Sequence, residues 1–139
     1  MASTERVREA STATYREYII DVRITELDDG RYLFEAPHHE GIEFEDAETA
    51  ELYADIYFDV NGFEEAGTGE RGIPPIIIQA GRDTLAAYLL TQPYNDRQWV
   101  GSFMGVQPGM IERYVSRVQK RATNIRRKAA EMIDAETDL

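Results

Sequence analysis

The stretch RQWVGSFMGVQPGMIERYVSRVQKR, residues 97–121, decides the C-terminal fold. Apolar residues recur at helical spacing on both sides of Gly105, which predicts two helices joined by a tight turn of three or four residues. Gly101 is the small residue expected where the two helices approach closely. Pro108 suits the first turn of the second helix, where a missing N–H needs no partner. The inward-facing residues are expected to be Val100, Met104, Val106, Ile111 and Tyr114.

Further helices are predicted on both sides of this turn. Asn95 or Asp96 can cap the first helix, and the second has no further proline or glycine after residue 109 and runs to about residue 134. Upstream, residues 83–90 contain good helix formers and end at Pro93. The preceding PPIIIQ, residues 74–79, fits either a buried strand or the first turns of a helix, and we favour the helix.

The N-terminal part of the chain predicts a hairpin and one helix. Tyr18, Ile20, Val22 and Ile24 alternate with polar residues, LDDGR at 27–31 supplies a turn, and YLFEA resumes the alternation, so residues 18–36 are expected to form a β-hairpin. Asp46 is an N-cap for a helix over 46–60, which Asn61 and Gly62 end.

The fold class is therefore expected to be α+β, in three regions. Residues 1–17 are polar and predict a flexible arm or a frayed helix. Residues 18–72 would form an acidic subdomain of hairpin and helix, and residues 73–134 the helical region with its long basic terminal helix. The boundary lies in EEAGTGERGIPP, residues 64–75, which combines glycines and prolines without periodicity.

Charge is distributed unevenly along the chain. The formal net charge is −11, from 26 acidic and 15 basic residues, yet residues 95–130 hold eight basic residues and two acidic ones. Residues 1–94 hold seven arginines and twenty acids. A basic segment is usually a solvated face, but on such an acidic background it favours an anionic partner. The acidic, lysine-poor composition also resembles that of proteins from extreme halophiles.

The segment VGSFMGVQPGMIERYVSRVQKR, residues 100–121, resembles the helix-turn-helix DNA-binding regulators, in particular the fourth-region module of sigma factors and of small regulators. The resemblance covers residues 83–121, and the acidic, arginine-rich context is similar to that of regulators from halophilic archaea, their plasmids or their viruses. The family usually has alanine where this chain has Gly101. The resemblance implies a second helix whose N-terminal end enters the major groove of duplex DNA.

Mapping the helix-turn-helix onto this chain predicts its DNA contacts. Arg113 and Arg117, one turn apart, would bind guanine, Glu112 would accept a hydrogen bond from a cytosine amino group, and Met110 would meet a thymine methyl. The full set of predicted DNA-binding residues is Arg97, Gln107, Gly109, Met110, Glu112, Arg113, Arg117, Lys120 and Arg121. If about six phosphates are neutralised, affinity should fall with salt at a log–log slope near −5.

An apolar stripe on the long helix has two interpretations. From Ile111 it continues at spacings of three and four residues, typical of a helix that packs along one seam. The stripe either joins two chains or packs on the protein's own N-terminal half. Arg126, Arg127 and Lys128 beside it would touch flanking phosphate or pair with the acidic half. The candidate dimerisation residues are Val115, Val118, Ala122, Ile125, Ala129 and Met132.

Several classes of function are excluded or disfavoured. The chain has no cysteine, which removes disulfides, thiolate catalysis and cysteine zinc sites. It contains neither a long apolar run nor a signal peptide, so we expect a soluble cytoplasmic protein without a membrane partner. His38 and His39 are adjacent and would not share a metal. We expect no metal, no cofactor and no enzymatic activity.

The expected function is sequence-specific binding of double-stranded DNA by a homodimeric transcriptional regulator from a halophilic archaeon, its plasmid or its virus. A repressor is favoured over an activator because no segment is suited to recruiting a polymerase. The alternative is a protein-interaction adaptor that uses the same helical unit to bind an acidic partner.

Overall fold

Four short antiparallel strands form the first part of the chain in the computed structural model, which describes residues 13–64 and 72–137. The strands follow one another in the sheet in sequence order, and each pairs with the next. In the central pair Ile24 lies opposite Phe34, so the two side chains lie on the same face of the sheet. Both side chains are buried. The strands are β1 (Ala13–Glu17), β2 (Arg23–Glu26), β3 (Tyr32–Glu35) and β4 (Ile42–Phe44).

The predicted hairpin over 18–36 is present as β2 and β3, but its first strand begins later than predicted. Ile20 and Asp21 have φ values of 57° and 62°, so the chain turns there from β1 into β2. Ile20 is consequently 52% exposed and does not share the buried face of Val22 and Ile24. The prediction that the arm extends through residue 17 also differs from the structure, since its last five residues form β1.

Helix α1 (Ala47–Asp59) matches the helix predicted over 46–60. The Asp46 carboxylate accepts the Thr49 backbone N–H at 2.7 Å, which satisfies one of the free N–H groups of the first turn. The chain divides into two compact units within this helix, residues 1–51 and residues 52–139. The sequence places the division near residue 72 instead, in a loop whose residues 65–71 lie outside the described residues.

The second unit continues through four more helices, and PPIIIQ is helical as favoured. Helix α3 packs against α2, α4 and α5, and α4 also packs against α5. Aromatic side chains fill the unit around Phe63, whose ring lies 5.3 Å from that of Tyr53 and 6.2 Å from that of Tyr88. The helices are α2 (Pro75–Ala80), α3 (Arg82–Thr91), α4 (Arg97–Met104) and α5 (Pro108–Thr137).

The fold class is thus α+β, with an antiparallel sheet followed by helices and a long terminal helix. Across the two described ranges, no helix has the length and the apolar character needed to cross a bilayer.

Candidate nucleic-acid interface

Helices α4 and α5 are joined by a turn of three residues. Asp96 caps α4 by accepting the Trp99 backbone N–H at 2.8 Å, and Gly105 ends α4 in the left-handed conformation with φ 74°. The Val106 N–H then donates to the Gly101 carbonyl at 2.8 Å. The turn therefore has the tight geometry that the sequence predicts between these helices.

Gly101 is required by the close approach of the turn to α4. A Cβ atom at this position would lie 2.7 Å from the Val106 carbonyl oxygen, a distance that backbone atoms do not tolerate. The alanine that is usual at this position in the resembled family would not fit here without a shift of the turn. The glycine thus has a local steric cause.

Arg82 of α3 holds the end of α4, a role that no sequence pattern indicates. Its guanidinium Nη2 donates to the Met104 carbonyl at 2.8 Å, and its Nε lies 3.5 Å from the Tyr114 hydroxyl on α5. The carbonyls of a last helical turn have no partner within the helix, so this contact satisfies one of them. Arg82 therefore helps to position the turn between the two predicted DNA-binding helices.

Arg113, Arg117 and Lys120 form an exposed cationic face on α5. Their spacings of four and three residues place them along one side of the helix, and the Arg117 guanidinium lies 5.8 Å from the centre of the Tyr114 ring. Within the described part of the chain none of the three forms an ion pair. Their charge is available to an anion from outside.

The predicted base-contacting residues before this face lie at the start of α5. Gln107, Gly109, Met110 and Arg113 line one open cleft together with Val106. Apart from the adjoining residues and the backbone of its own helix, no described residue lies within 4 Å of the position that a Cβ would occupy on Gly109. The first turn of α5 therefore presents accessible backbone and side chains next to Arg113.

Arg97 and Glu112, both predicted to contact DNA, form an ion pair with each other. The pair joins the first residue of α4 to the second turn of α5, and both side chains are about half exposed. Its two charges cancel locally. The carboxylate of Glu112 is already paired with a guanidinium, which disfavours the predicted hydrogen bond to cytosine.

Arg121 differs most from its prediction as a DNA contact. Its Nε and Nη2 donate to the two carboxylate oxygens of Asp59 at 2.7 and 3.0 Å, and its Nη1 donates to Asp83 at 2.8 Å. Nη2 also lies 3.1 Å from the Thr84 hydroxyl, which itself donates to Asp59. The side chain is directed inward because both acids are nearly buried, with only 4% and 17% of their side chains exposed.

We call this cluster of Arg121, Asp59, Asp83 and Thr84 the Arg121 clamp. Its contacts shift the pKa values of Asp83 and Arg121. Burial on its own would raise the pKa of Asp83, but the hydrogen bond and charge of Arg121, with the Thr84 backbone N–H, hold that pKa below its ordinary value. Hydrogen bonds to Asp59 and Asp83 raise the pKa of Arg121 further. The two carboxylates that meet here both accept hydrogen bonds from Arg121.

Arg126 also has an internal partner. Its Nη1 donates to Asp55 at 2.8 Å and its guanidinium lies 5.1 Å from the Phe58 ring centre, and both partners are on α1. Of the two interpretations of this basic group, the structure supports acid pairing for Arg126. Arg127 pairs with Glu131 on the exposed side of the same helix.

The predicted dimerisation stripe divides into two parts. Val115, Val118 and Ala122 are buried within their own chain, whereas Met132 is 67% exposed. Ile125 and Ala129 are intermediate. The first half of the stripe therefore supports the alternative that it packs within one chain.

Comparison with protein-family models, with curated proteins and with solved structures gives no match for this chain. A functional inference therefore depends on its residues and their arrangement.

Proposed function

We propose that this chain binds duplex DNA sequence-specifically and acts as a transcriptional regulator. The observation that carries the proposal is the exposed cationic face of Arg113, Arg117 and Lys120 on an otherwise strongly acidic chain. A helix that follows a tight turn and carries a cationic strip on one side fits the shape of a major groove, and its charge is complementary to that of DNA.

The roles of the individual residues follow from their chemistry. Arg113 and Arg117 each offer two parallel hydrogen bonds to guanine O6 and N7, and Met110 offers apolar contact to a thymine methyl. Gly109 lets the backbone approach the duplex, and Lys120 binds phosphate as a point charge. Gln107, in the same cleft, can bond to a base or a phosphate.

Three residues predicted to contact DNA take other roles in the proposal. The pair of Arg97 and Glu112 holds α4 against α5, and Arg121 stabilises the fold through its clamp. None of the three reads bases.

The regulator is proposed to be a homodimeric repressor, because a dimer doubles the contacts and occupation of a promoter needs no polymerase contact. The acidic, lysine-poor composition supports a salt-rich cytoplasm of a halophilic archaeon, with the gene carried by the host, a plasmid or a virus.

Selection of duplexes from a random-sequence pool tests the proposal without a known operator. The wild-type chain should enrich one motif in 0.2 M KCl, and the Arg113→Ala, Arg117→Ala double variant should bind that motif at least about tenfold more weakly. A matched control is Arg127→Ala with Lys128→Ala, which removes the same charge from the same helix beyond the cationic face. The control should enrich the same motif.

The selection would contradict the proposal if neither the wild type nor the control enriched any sequence. Equal binding of the selected motif by the two double variants would contradict the assignment of the face. Firm binding to an acidic protein without any duplex binding would favour the adaptor, which uses the same cationic face on a different polyanion.

A further inference from the structure

Beyond Arg97, its first residue, the outer surface of α4 carries aromatic side chains and no charge. Residues 98–111 contain no charged side chain, in a chain of which 29% is charged. Trp99 and Phe103 are 45% and 43% exposed on this surface. Their rings stack with centroids 5.4 Å apart and planes within 7° of parallel. We call this pair the α4 aromatic patch.

The patch faces away from the core of its unit. Val100 and Gly101, the neighbours of Trp99 along the helix, are buried against the rest of the unit, whereas residues 99 and 103 are one turn apart on the other side. Stacking of the two rings on each other limits their rotamer freedom, so little of it is left to lose on association. Large exposed apolar side chains grouped in this way are typical of interaction surfaces.

We propose that the α4 aromatic patch is the surface on which a second copy of this chain docks, around a two-fold axis. In such a contact each residue near the axis meets its own counterpart, so any charge there would face a like charge. Around a two-fold axis, both the acidic surface and the cationic face of α5 would meet their own sign, so a neutral surface is the one that two copies can bring together without like-charge repulsion. Residues 98–104 of α4 supply that neutral surface, and Arg97 at its edge is neutralised by Glu112.

This inference rests on the proposed function in one respect, because it names where the proposed homodimer forms. It also places the contact away from the first half of the predicted stripe, because Val115, Val118 and Ala122 are already covered by their own chain. Met132 at the exposed end of that stripe provides the competing location.

The only tryptophan of the chain, Trp99, lies in the patch and reports on it directly. We would follow its emission wavelength and its quenching by acrylamide over a concentration series of the full chain without DNA, with mass measured by sedimentation equilibrium. Doubling of the 15.9 kDa mass should coincide with a blue shift and an at least twofold fall in quenching. KCl at 0.1 and 2 M should be compared, because screening should favour the dimer.

Two variants separate the patch from the stripe. Phe103→Gln keeps the tryptophan probe and should leave the chain monomeric at concentrations where the wild type is dimeric. Met132→Gln replaces a similarly exposed apolar side chain on α5 and should dimerise like the wild type. Circular dichroism should be the same for all three, since both positions are substantially exposed.

Three results would overturn the inference. One is a chain that stays monomeric up to about millimolar concentration, near the limit of a weak contact. Another is a dimer that does not use the patch. In such a dimer Trp99 would remain as open to acrylamide quenching as in the monomer, or Met132→Gln would abolish the dimer and Phe103→Gln would leave it intact. The third is protection of Trp99 only when duplex is added, which would assign the patch to DNA. A Trp99-protected dimer that enriches no duplex would instead contradict the proposed function and support this inference.

Discussion

At the scale of single residues, Arg121 shows how two arginines on one helix acquire different roles. It follows the buried Val118 by three residues and precedes the half-buried Ile125 by four, so it stands at the edge of the packed side of α5. Arg117, four residues earlier, lies on the exposed side. The sequence shows that both residues are basic. The direction of the Arg121 side chain, however, depends on its partners Asp59 and Asp83, which are 62 and 38 residues away in sequence.

Replacement of Arg121 by alanine should lower the free energy of unfolding by about 2 kcal/mol, because it leaves the nearly buried Asp59 and Asp83 without their cation. The value is reduced from that of a fully buried pair because 42% of the Arg121 side chain is exposed. Urea unfolding at pH 7 measures the change. Lys120→Ala, an exposed cation on the same helix, should change stability by less than about 0.5 kcal/mol, and equal effects of the two variants would contradict the clamp.

The lowered pKa of Asp83 predicts a pH-dependent contribution to stability. A carboxyl whose folded pKa lies below its unfolded value of about 3.9 contributes fully above pH 3.9 and loses that contribution as the pH falls through the folded pKa. Asp83→Asn should therefore destabilise the chain by about 1–2 kcal/mol at pH 7, with the difference shrinking below pH 4. Urea unfolding from pH 7 to pH 2.5 measures it. Asp134→Asn, which removes a carboxylate from the exposed end of α5, is the control for the loss of one negative charge at pH 7.

At the scale of elements, the helices and the hairpin of β2 and β3 could be predicted from the sequence, whereas strands β1 and β4 could not. Asp46 and Asp96 are capping residues next to helical apolar spacing, and Gly105 can adopt the left-handed conformation, so each boundary has a local cause. Strand β1 has no such signal, because its five residues are exposed and its pairing with β2 alone makes it a strand. Ile20 misled the hairpin prediction because alternation cannot reveal a positive φ at a branched residue.

The turn between α4 and α5 makes a steric prediction about Gly101. Gly101→Ala would improve helix propensity by up to about 1 kcal/mol. It would, however, force the Val106 carbonyl away from a Cβ only 2.7 Å distant. The net result should be destabilisation by about 1–3 kcal/mol, measured by thermal and urea unfolding. Gly109→Ala is the matched control, since its Cβ would meet no neighbouring group of the described residues, and it should leave the stability unchanged or raise it by up to about 1 kcal/mol. A Gly101→Ala variant as stable as the wild type would contradict the close approach.

At the scale of the whole molecule, the ion pairs reduce the charge that DNA can use. Of the eight basic residues over 95–130, Arg97, Arg121, Arg126 and Arg127 have acidic partners. If the three cations of the exposed face, Arg113, Arg117 and Lys120, each displace about one phosphate counterion, log Kd should change with log salt at a slope of about 3 in magnitude, below the 5 expected for about six phosphates. Titration of the selected duplex between 0.1 and 0.6 M KCl measures the slope. Lys120→Ala should reduce it by about one, and a slope that Lys120→Ala leaves unchanged would contradict its phosphate contact.

Stability should respond to salt in the opposite direction from DNA binding. Residues 13–51 carry twelve acids and three arginines, and each of those arginines already pairs with a glutamate. The remaining acids repel one another through water. Salt shortens the range of that repulsion, from about 10 Å at 0.1 M to about 3 Å at 1 M. The urea midpoint of the wild type should therefore rise between 0.1 and 2 M KCl.

The triple variant Glu26→Gln, Asp28→Asn, Asp29→Asn separates charge screening from the general effect of salt on apolar surface. Asparagine at 29 keeps the side-chain oxygen that accepts the Arg31 N–H at 2.9 Å, so the turn is preserved. The variant should be more stable than the wild type by up to about 1 kcal/mol at 0.1 M KCl, since each exposed charge interaction is small. Its urea midpoint should also rise less with KCl, because fewer repulsions remain to be screened. Parallel salt dependences for the two proteins would mean that apolar burial, and not the acidic surface, makes the chain salt-dependent.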